Sequence, residues 1–317
     1  MRLLVTGGAG YIGSICTAVL LDRGHSVTVL DTLENGHREA VDNRARLIIG
    51  STGDPAALKK AFSGRIDAVL HFAGYIEVGE SVLKPKKYLD NNVGNGKSLL
   101  AAMKAHGVNK IVFSSTAAVY GKPAKVPVTE AAALKPINPY GISKLQFERL
   151  IAGMQSISLR YFNAAGAIPG LGEDHHPETH LIPRLLKAIM QSKEFTLYGE
   201  DYPTPDGSCV RDYIHVEDLA RAHLLALEAL GKGAKGAYNL GTGEGYSVLE
   251  VIKAAEKVTG KKARVIIGKR RAGDPPVLVA SAEKIRKDLG WKPRHGLKSI
   301  ISSAWDWHRS HPDGYDS

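Results

Sequence analysis

The feature that most restricts the fold of this chain is the run Gly7-Gly8-Ala9-Gly10-Tyr11-Ile12-Gly13, set directly after the apolar stretch Arg2–Thr6. Glycine lets the backbone turn tightly and approach a ligand closely. The apolar pattern from Tyr11 to Asp22 then reads as a helix. Gly8, Gly10 and Gly13 satisfy the G-x-G-x-x-G spacing, and Gly7 extends it. A strand, this turn and a helix, in that order, place a pyrophosphate on the positive helix N-terminus. Glycines serving an ordinary turn are the plain alternative. Asp31 argues against it, because it ends the next apolar stretch, Val27–Asp31, about 20 residues on, where a carboxylate accepts from an adenosine ribose. Thr32 and Leu33 follow rather than an arginine, so NAD is expected over NADP.

Further apolar stretches lie at Arg46–Gly50, Ala68–Phe72 and Lys110–Ser115, with a long helical pattern from Ser81 to His106 before the last. Apolar strands separated by helices predict a parallel sheet covered on both faces. From Ala164 the texture changes. The segments Gly170–Pro183 and Gly199–Ser208 carry loop residues, and helical pieces follow at Leu185–Gln191, Val216–Leu230, Val248–Val258 and Ala282–Leu289. The expected fold class is α/β, a Rossmann-type doubly wound parallel sheet with a smaller, loop-rich C-terminal substrate domain. Residues 1–165 form the first domain, 212–244 return to it, and 166–317 form the second.

Hydrophobic residues at 44% and charged residues at 23% are those of a soluble globular protein. No stretch approaches the roughly 18 apolar residues of a membrane span, and residues 1–6 lack the pattern of a signal peptide, so a cytoplasmic protein is expected. Cys16 and Cys209 read as free thiols. The net charge of +10 is spread among apolar residues, as in Lys257–Lys269 and Lys284–Lys298, and no nucleic-acid motif accompanies it. No nucleic-acid partner is expected. His175, His176 and His180 read as a solvated loop, with no metal.

Asn138-Pro139-Tyr140-Gly141-Ile142-Ser143-Lys144 reads as a helix start, with Asn138 as its cap and proline in the first turn. Tyr140 and Lys144, four apart, share a helix face. A phenol that is to act as a base near neutrality needs its pKa lowered by about three units, or roughly 4 kcal/mol. A positive charge about 4 Å away supplies that much, and Lys144 together with a cationic nicotinamide is expected to do so. A surface tyrosine beside a solvated lysine is the bland alternative. Phe113-Ser114-Ser115-Thr116 ends a strand at the carboxyl edge of the sheet, where Thr116 can reach Tyr140 or a substrate hydroxyl.

With these residues the chain resembles the extended short-chain dehydrogenase/reductases, and among them the UDP-glucose (UDP-galactose) 4-epimerases. The shared motifs include His71-Phe72-Ala73-Gly74, Tyr88-Leu89-Asp90-Asn91-Asn92-Val93, Phe113–Gly121, Tyr140–Lys144, Arg160-Tyr161-Phe162-Asn163, Thr179–Pro183, Val210–Val216 and Arg270–Asp274, with the tail Trp305–Tyr315. The resemblance implies inversion at sugar carbon 4 by way of a 4-keto sugar, with retained NAD, and catalysis by Tyr140, Lys144 and Thr116. It implies cofactor contacts at Gly7, Gly10, Tyr11, Ile12, Gly13, Asp31, Thr32, Asn35, Ser51, Phe72, Ala73, Gly74, Asn91, Ser114, Tyr140, Lys144, Tyr161 and Phe162. For the UDP-sugar it implies Thr116, Tyr140, Asn163, His180, Leu181, Thr196, Tyr198, Arg211, Arg271, Asp274 and Leu278. Arg211 and Arg271 would clamp the diphosphate, where a guanidinium fork suits phosphate. Arg211 beside Asp212 also reads as a plain ion pair, and Tyr198 as a core aromatic. The resemblance further implies a homodimer.

Ser51 departs from the family, which often has an aspartate there against the adenine; Asp54 lies nearby. Leu278 falls where residue size limits the sugar pocket, and its intermediate size points to UDP-glucose and UDP-galactose first, with N-acetylated sugars secondary. The related 4,6-dehydratases carry an Asp-Glu pair after the threonine, where this chain has Ala117 and Ala118. A non-catalytic NAD-sensing protein could dispense with Tyr140 and Lys144.

Overall fold

In the computed structural model, which describes residues 1–270 and 274–316, the apolar stretches form one seven-stranded sheet. Its strands are β1 (Arg2–Thr6), β2 (Ser26–Asp31), β3 (Arg46–Ile49), β4 (Ala68–His71), β5 (Lys110–Thr116), β6 (Gln155–Tyr161) and the strand Gly236–Leu240. All neighbours pair in parallel, in the order Gly236–Leu240, β6, β5, β4, β1, β2, β3. The strand order reverses between β1 and β4, and in such sheets the ligand crevice opens at the carboxyl ends there.

Alternation along the strands sends side chains to both faces. Leu3, Val5, Val27, Val29 and Leu70 pack on one side with Leu219, Ala222 and Leu227 of the helix Val216–Gly231. Leu4, Leu30, Val69, Ile111 and Phe113 pack on the other with Leu99, Met103 and Phe147. Both faces are therefore apolar, which is why these strands read as continuous hydrophobic runs. Ile285 and Trp291 join the first cluster, and the Trp291 indole donates to the Asp218 carbonyl at 2.9 Å.

A separate cluster lies beyond the sheet. It joins the helices Leu181–Met190, Val248–Thr259 and Leu297–Ser310 to the strand pair Glu194–Tyr198 and Arg264–Gly268. The last helix went unread, although Leu297, Ile300, Ile301, Ala304 and Trp307 are buried at helical spacing.

Two helices differ from expectation. The pattern Ser81–His106 is broken: a helix ends at Leu83, Lys84 leaves helical geometry (φ −129°, ψ 59°), and Pro85 starts the next. A residue before proline is disfavoured in the α region. A wider π-type turn, Asp90–Asn95, then carries Asn91 and Asn92 before the helix Gly96–Ala105. The helix expected from Leu185 begins at Leu181 instead, with Pro183 inside its first turn, where a missing N–H is harmless. Among the described residues no helix is long and apolar enough to cross a membrane.

Candidate active site

The glycine turn leaves β1 and enters the helix Tyr11–Asp22. Gly7 has φ +74°, and a side chain on it would meet the Ala73 backbone at 2.5 Å. A Cβ on Gly13 would lie 2.0 Å from the Gly7 carbonyl oxygen. Both glycines are thus required by packing alone. Gly10 is different, since a Cβ there would come no closer than 3.6 Å to protein. No side chain caps this helix, and its first turn carries no acid. A bare, positive N-terminus beside a residue whose smallness the protein does not need fits the pyrophosphate of a dinucleotide. The Tyr11 hydroxyl donates to the Gly166 carbonyl at 2.6 Å, which leaves its backbone for a phosphate.

Asp31 at the end of β2 accepts from Ala9 N and Leu33 N, both at 2.9 Å, one on each carboxylate oxygen. Each oxygen keeps a lone pair for a ribose hydroxyl. Thr32 and Asn35 are exposed beside it, and Asn35 lines a cleft of about 340 Å3 with Glu34, Gly36 and His37. Past β3, Ser51 accepts from Gly53 N at 3.0 Å and from Asn95 Nδ2 at 3.3 Å. Asp54 caps the helix Pro55–Ala61 by accepting from Ala56 N at 2.8 Å.

Phe72, Ala73 and Gly74 follow β4 directly, and a Cβ on Gly74 would touch Asn92 Oδ1 at 3.0 Å. Asn92 is a positioning residue that sequence reasoning passed over. Its Oδ1 accepts from Tyr75 N at 2.8 Å, while its Nδ2 donates to the Tyr75 carbonyl at 3.1 Å and to Ser143 Oγ at 3.0 Å. Ser143 Oγ in turn donates to the Tyr140 carbonyl at 2.7 Å. Asn91 accepts from Asn95 at 3.0 Å.

Asn138 caps the helix Pro139–Ile151, accepting from Gly141 N at 2.8 Å. One turn in, Lys144 is 3% exposed and donates to the Ser114 carbonyl at 2.9 Å. Its ammonium lies 5.0 Å from the Phe113 ring centre and 5.9 Å from that of Tyr140. Burial pulls the Lys144 pKa down to about 8, against the opposing pull of Glu148. The bland picture of a solvated lysine is thereby excluded. Burial pushes the Tyr140 pKa up to about 12, the hydrogen bond with Thr116 pulls it down, and Glu77 raises it further. In the protein by itself, loss of solvent is the largest influence on this phenol.

Behind this pair lies a buried ion pair that the sequence did not disclose. Glu148 receives Arg160 Nε at 3.0 Å and Nη2 at 2.6 Å, and also Ser115 Oγ. It ties the helix Pro139–Ile151 to β5 and β6. Tyr161 ends β6 and Phe162 follows it, with the Tyr161 hydroxyl 2.7 Å from His223 Nε2. That contact commits the hydroxyl to the core.

Opposite the crevice, Asn163 Nδ2 donates to the Asp212 carbonyl at 3.0 Å. Arg211 makes no pair with the Asp212 carboxylate. Asp212 instead accepts from Thr242 N, Thr242 Oγ1, Gly243 N and Ala280 N between 2.7 and 3.1 Å. Arg211 donates to the carbonyls of Val210 and Pro275 and faces Asp274 at 3.7 Å. Leu278 pairs in register with Arg211 on the neighbouring strand. Thr196 and Tyr198 share one face of the strand Glu194–Tyr198, and the Tyr198 ring lies 5.9 Å from the Arg184 guanidinium. His180 precedes the helix that begins at Leu181. Arg271 lies outside the described residues. The histidine loop is solvated only in part: His176 is exposed, whereas Glu173 and Asp174 are buried and His175 is largely so.

Compared with known proteins, residues 3–241 match the model of the NAD dependent epimerase/dehydratase family. The UDP-glucose 4-epimerase of Lacticaseibacillus casei is 50% identical over 327 residues, covering 99% of both chains. The crystal structure of UDP-glucose 4-epimerase from Bifidobacterium longum in complex with NAD+ and UDP is 41% identical, with a TM-score of 0.95 over 99% of this chain and 100% of that one. The UDP-glucose-4-epimerase from Stenotrophomonas maltophila, with bound NAD and formylated UDP-arabinopyranose, is 39% identical with a TM-score of 0.95, covering 98% of this chain and 99% of that one.

Proposed function

The chain belongs to the NAD dependent epimerase/dehydratase family, and on that premise we propose that it interconverts UDP-glucose and UDP-galactose by inverting carbon 4 of the sugar. The reading is carried by one arrangement: the Tyr140 phenol bonded to Thr116 at the end of β5, with the Lys144 ammonium buried one helical turn away. Bound NAD supplies reversible two-electron chemistry at carbon 4. Tyr140 Oη takes the proton of the sugar 4-hydroxyl and later returns it. The Thr116 hydroxyl holds the same oxygen, and Lys144, with the cationic cofactor ring, offsets the charge of the phenolate. Burial raises the Tyr140 pKa, so the basic form depends on those charges facing it.

Inversion requires the 4-keto sugar to present its other face, so the nucleotide must be held while the sugar turns. Arg211 and Asn163 suit the diphosphate, with Arg271 as their partner by resemblance, and Asp274 suits a ribose hydroxyl. Gly7, Gly10 and Gly13, with Asp31, suit the dinucleotide. The turn Ala117–Tyr120 lacks the acidic pair that would eliminate water, which favours epimerisation over dehydration. Leu278 favours the unmodified hexoses over the N-acetylated ones. A cytoplasmic homodimer completes the reading, to be checked by sedimentation. The deciding experiment incubates purified protein with UDP-galactose and no added cofactor. UDP-glucose should accumulate to an equilibrium ratio without net NADH; a 4-keto-6-deoxy sugar or stoichiometric NADH would overturn the proposal.

A further inference from the structure

Glu173, His175, Glu178 and His180 converge in the loop before the helix Leu181–Met190 and offer one ligand atom each, all within 4.8 Å of one another. Their spacing, E-x-H-x-x-E-x-H, draws four donors from eight consecutive residues. Glu173 and Glu178 side chains are 5% and 8% exposed, His175 14%, and His180 44%. Among the described residues, His175 Nδ1, His180 Nδ1 and Glu178 Oε2 are buried and make no hydrogen bond of acceptable geometry. The other Glu178 oxygen accepts from His180 N at 2.8 Å, which leaves Oε2 as the ligand atom without a hydrogen bond.

The separations discriminate between two ways of neutralising this group. His175 Nδ1 lies 3.4 Å from Glu173 Oε1 and 3.7 Å from Glu178 Oε2. These exceed ordinary N–H···O bonds, which centre near ~2.9 Å. They match the edges of a tetrahedron, since ligand atoms about 2.0–2.1 Å from a shared zinc stand about 3.4 Å apart. Only His180 Nδ1 to Glu173 Oε1, at 2.7 Å, is shorter and would open on coordination. Two buried carboxylates with two neutral imidazoles leave two negative charges that a dication cancels. Two nitrogen and two oxygen donors in this geometry favour zinc over calcium or magnesium.

We infer that Glu173, His175, Glu178 and His180 form a structural zinc site. The metal would pin this loop to both sides of the crevice. His175 stands edge-on to the Tyr11 ring at 6.3 Å, Thr179 Oγ1 donates to Glu77 at 2.7 Å, and His180 leads into the helix expected beside the sugar nucleotide. The half-exposed His180 leaves an entry path. The neighbouring group His37, Asp174 and His176 is a poorer candidate, with His176 68% exposed and its nitrogen 3.9 Å from Asp174.

The test is metal content and melting of the whole, untagged protein. Elemental analysis after purification without chelator should find about one zinc per chain. Stripping with dipicolinate should lower the melting temperature by roughly 5 °C, and zinc, unlike magnesium, should restore it. The double variant His175→Ala, Glu178→Gln should lose occupancy at least about tenfold, whereas His37→Ala, His176→Ala keeps it. Less than about a tenth of an equivalent after growth in zinc-supplemented medium, with melting of the wild-type protein unmoved by added zinc, would overturn the inference. The group would then be an ion cluster filled by protons.

Discussion

On the dinucleotide side of the crevice, Gly7, Phe72, Thr116 and Tyr161 all lie at the ends of parallel strands of four to seven residues. Behind them stands an ion pair whose partners, Arg160 and Glu148, are 6% and 8% exposed. On the opposite side, the strands Val210–Arg211, Tyr246–Ser247 and Val277–Leu278 are two residues each. The pair there, Arg211 and Asp274, is 3.7 Å apart with Asp274 42% exposed. The contrast follows the chemistry. Proton transfer at one oxygen needs fixed atoms, whereas a sugar that must be met in two orientations needs a nucleotide clamp with room beyond it.

Removing the fixed oxygen is the sharpest way to break this contrast. Tyr140→Phe should lower turnover of UDP-galactose by about a thousandfold while NAD stays bound, as steady-state assay and cofactor release on denaturation will measure. Near-normal turnover would move the proton transfer elsewhere.

The scaffold behind that oxygen comes next. Glu148→Gln leaves the Arg160 charge buried without its carboxylate and should cost about 3–5 kcal/mol in urea unfolding. A loss below about 1 kcal/mol would mean that the dinucleotide side is not held by this pair.

Lys144 gives a pH signature of the same side. Its pKa is about 8 in the folded chain against a usual 10.5, so the unfolded state binds more protons between those values. Folding stability contributed by this group therefore rises as pH increases from about 8 to 10.5, by roughly 3 kcal/mol in all, and is lowest below 8. Comparing unfolding midpoints of wild type and Lys144→Met across that window should show the wild type gaining on the variant. A constant difference would refute the burial argument.

On the looser side the expected effect is smaller. Leu278→Tyr should leave UDP-galactose turnover within about threefold and reduce that of UDP-N-acetylgalactosamine by about tenfold. Equal loss of both would show that this position supports the strand pair with Arg211 and does not limit the sugar pocket.

Features encoded by neighbours along the chain were legible without coordinates. The glycine turn, Asp31 at a strand end, Asn138 as a cap and the shared face of Tyr140 and Lys144 each depend on a few adjacent residues obeying local geometry. Folding decided what burial and distant partners control. Asn92 reaches Ser143, Arg160 reaches Glu148, and Asp212 turns from its neighbour Arg211 to backbone donors at Thr242, Gly243 and Ala280. The pKa of Tyr140 rises because desolvation outweighs the hydrogen bond with Thr116, a balance that spacing does not contain. The burial of Glu173 and Asp174 in the histidine loop was not legible for the same reason, since exposure belongs to the packed chain. Local pattern determines which groups the backbone presents; only the tertiary structure sets the dielectric and the partners in which those groups act.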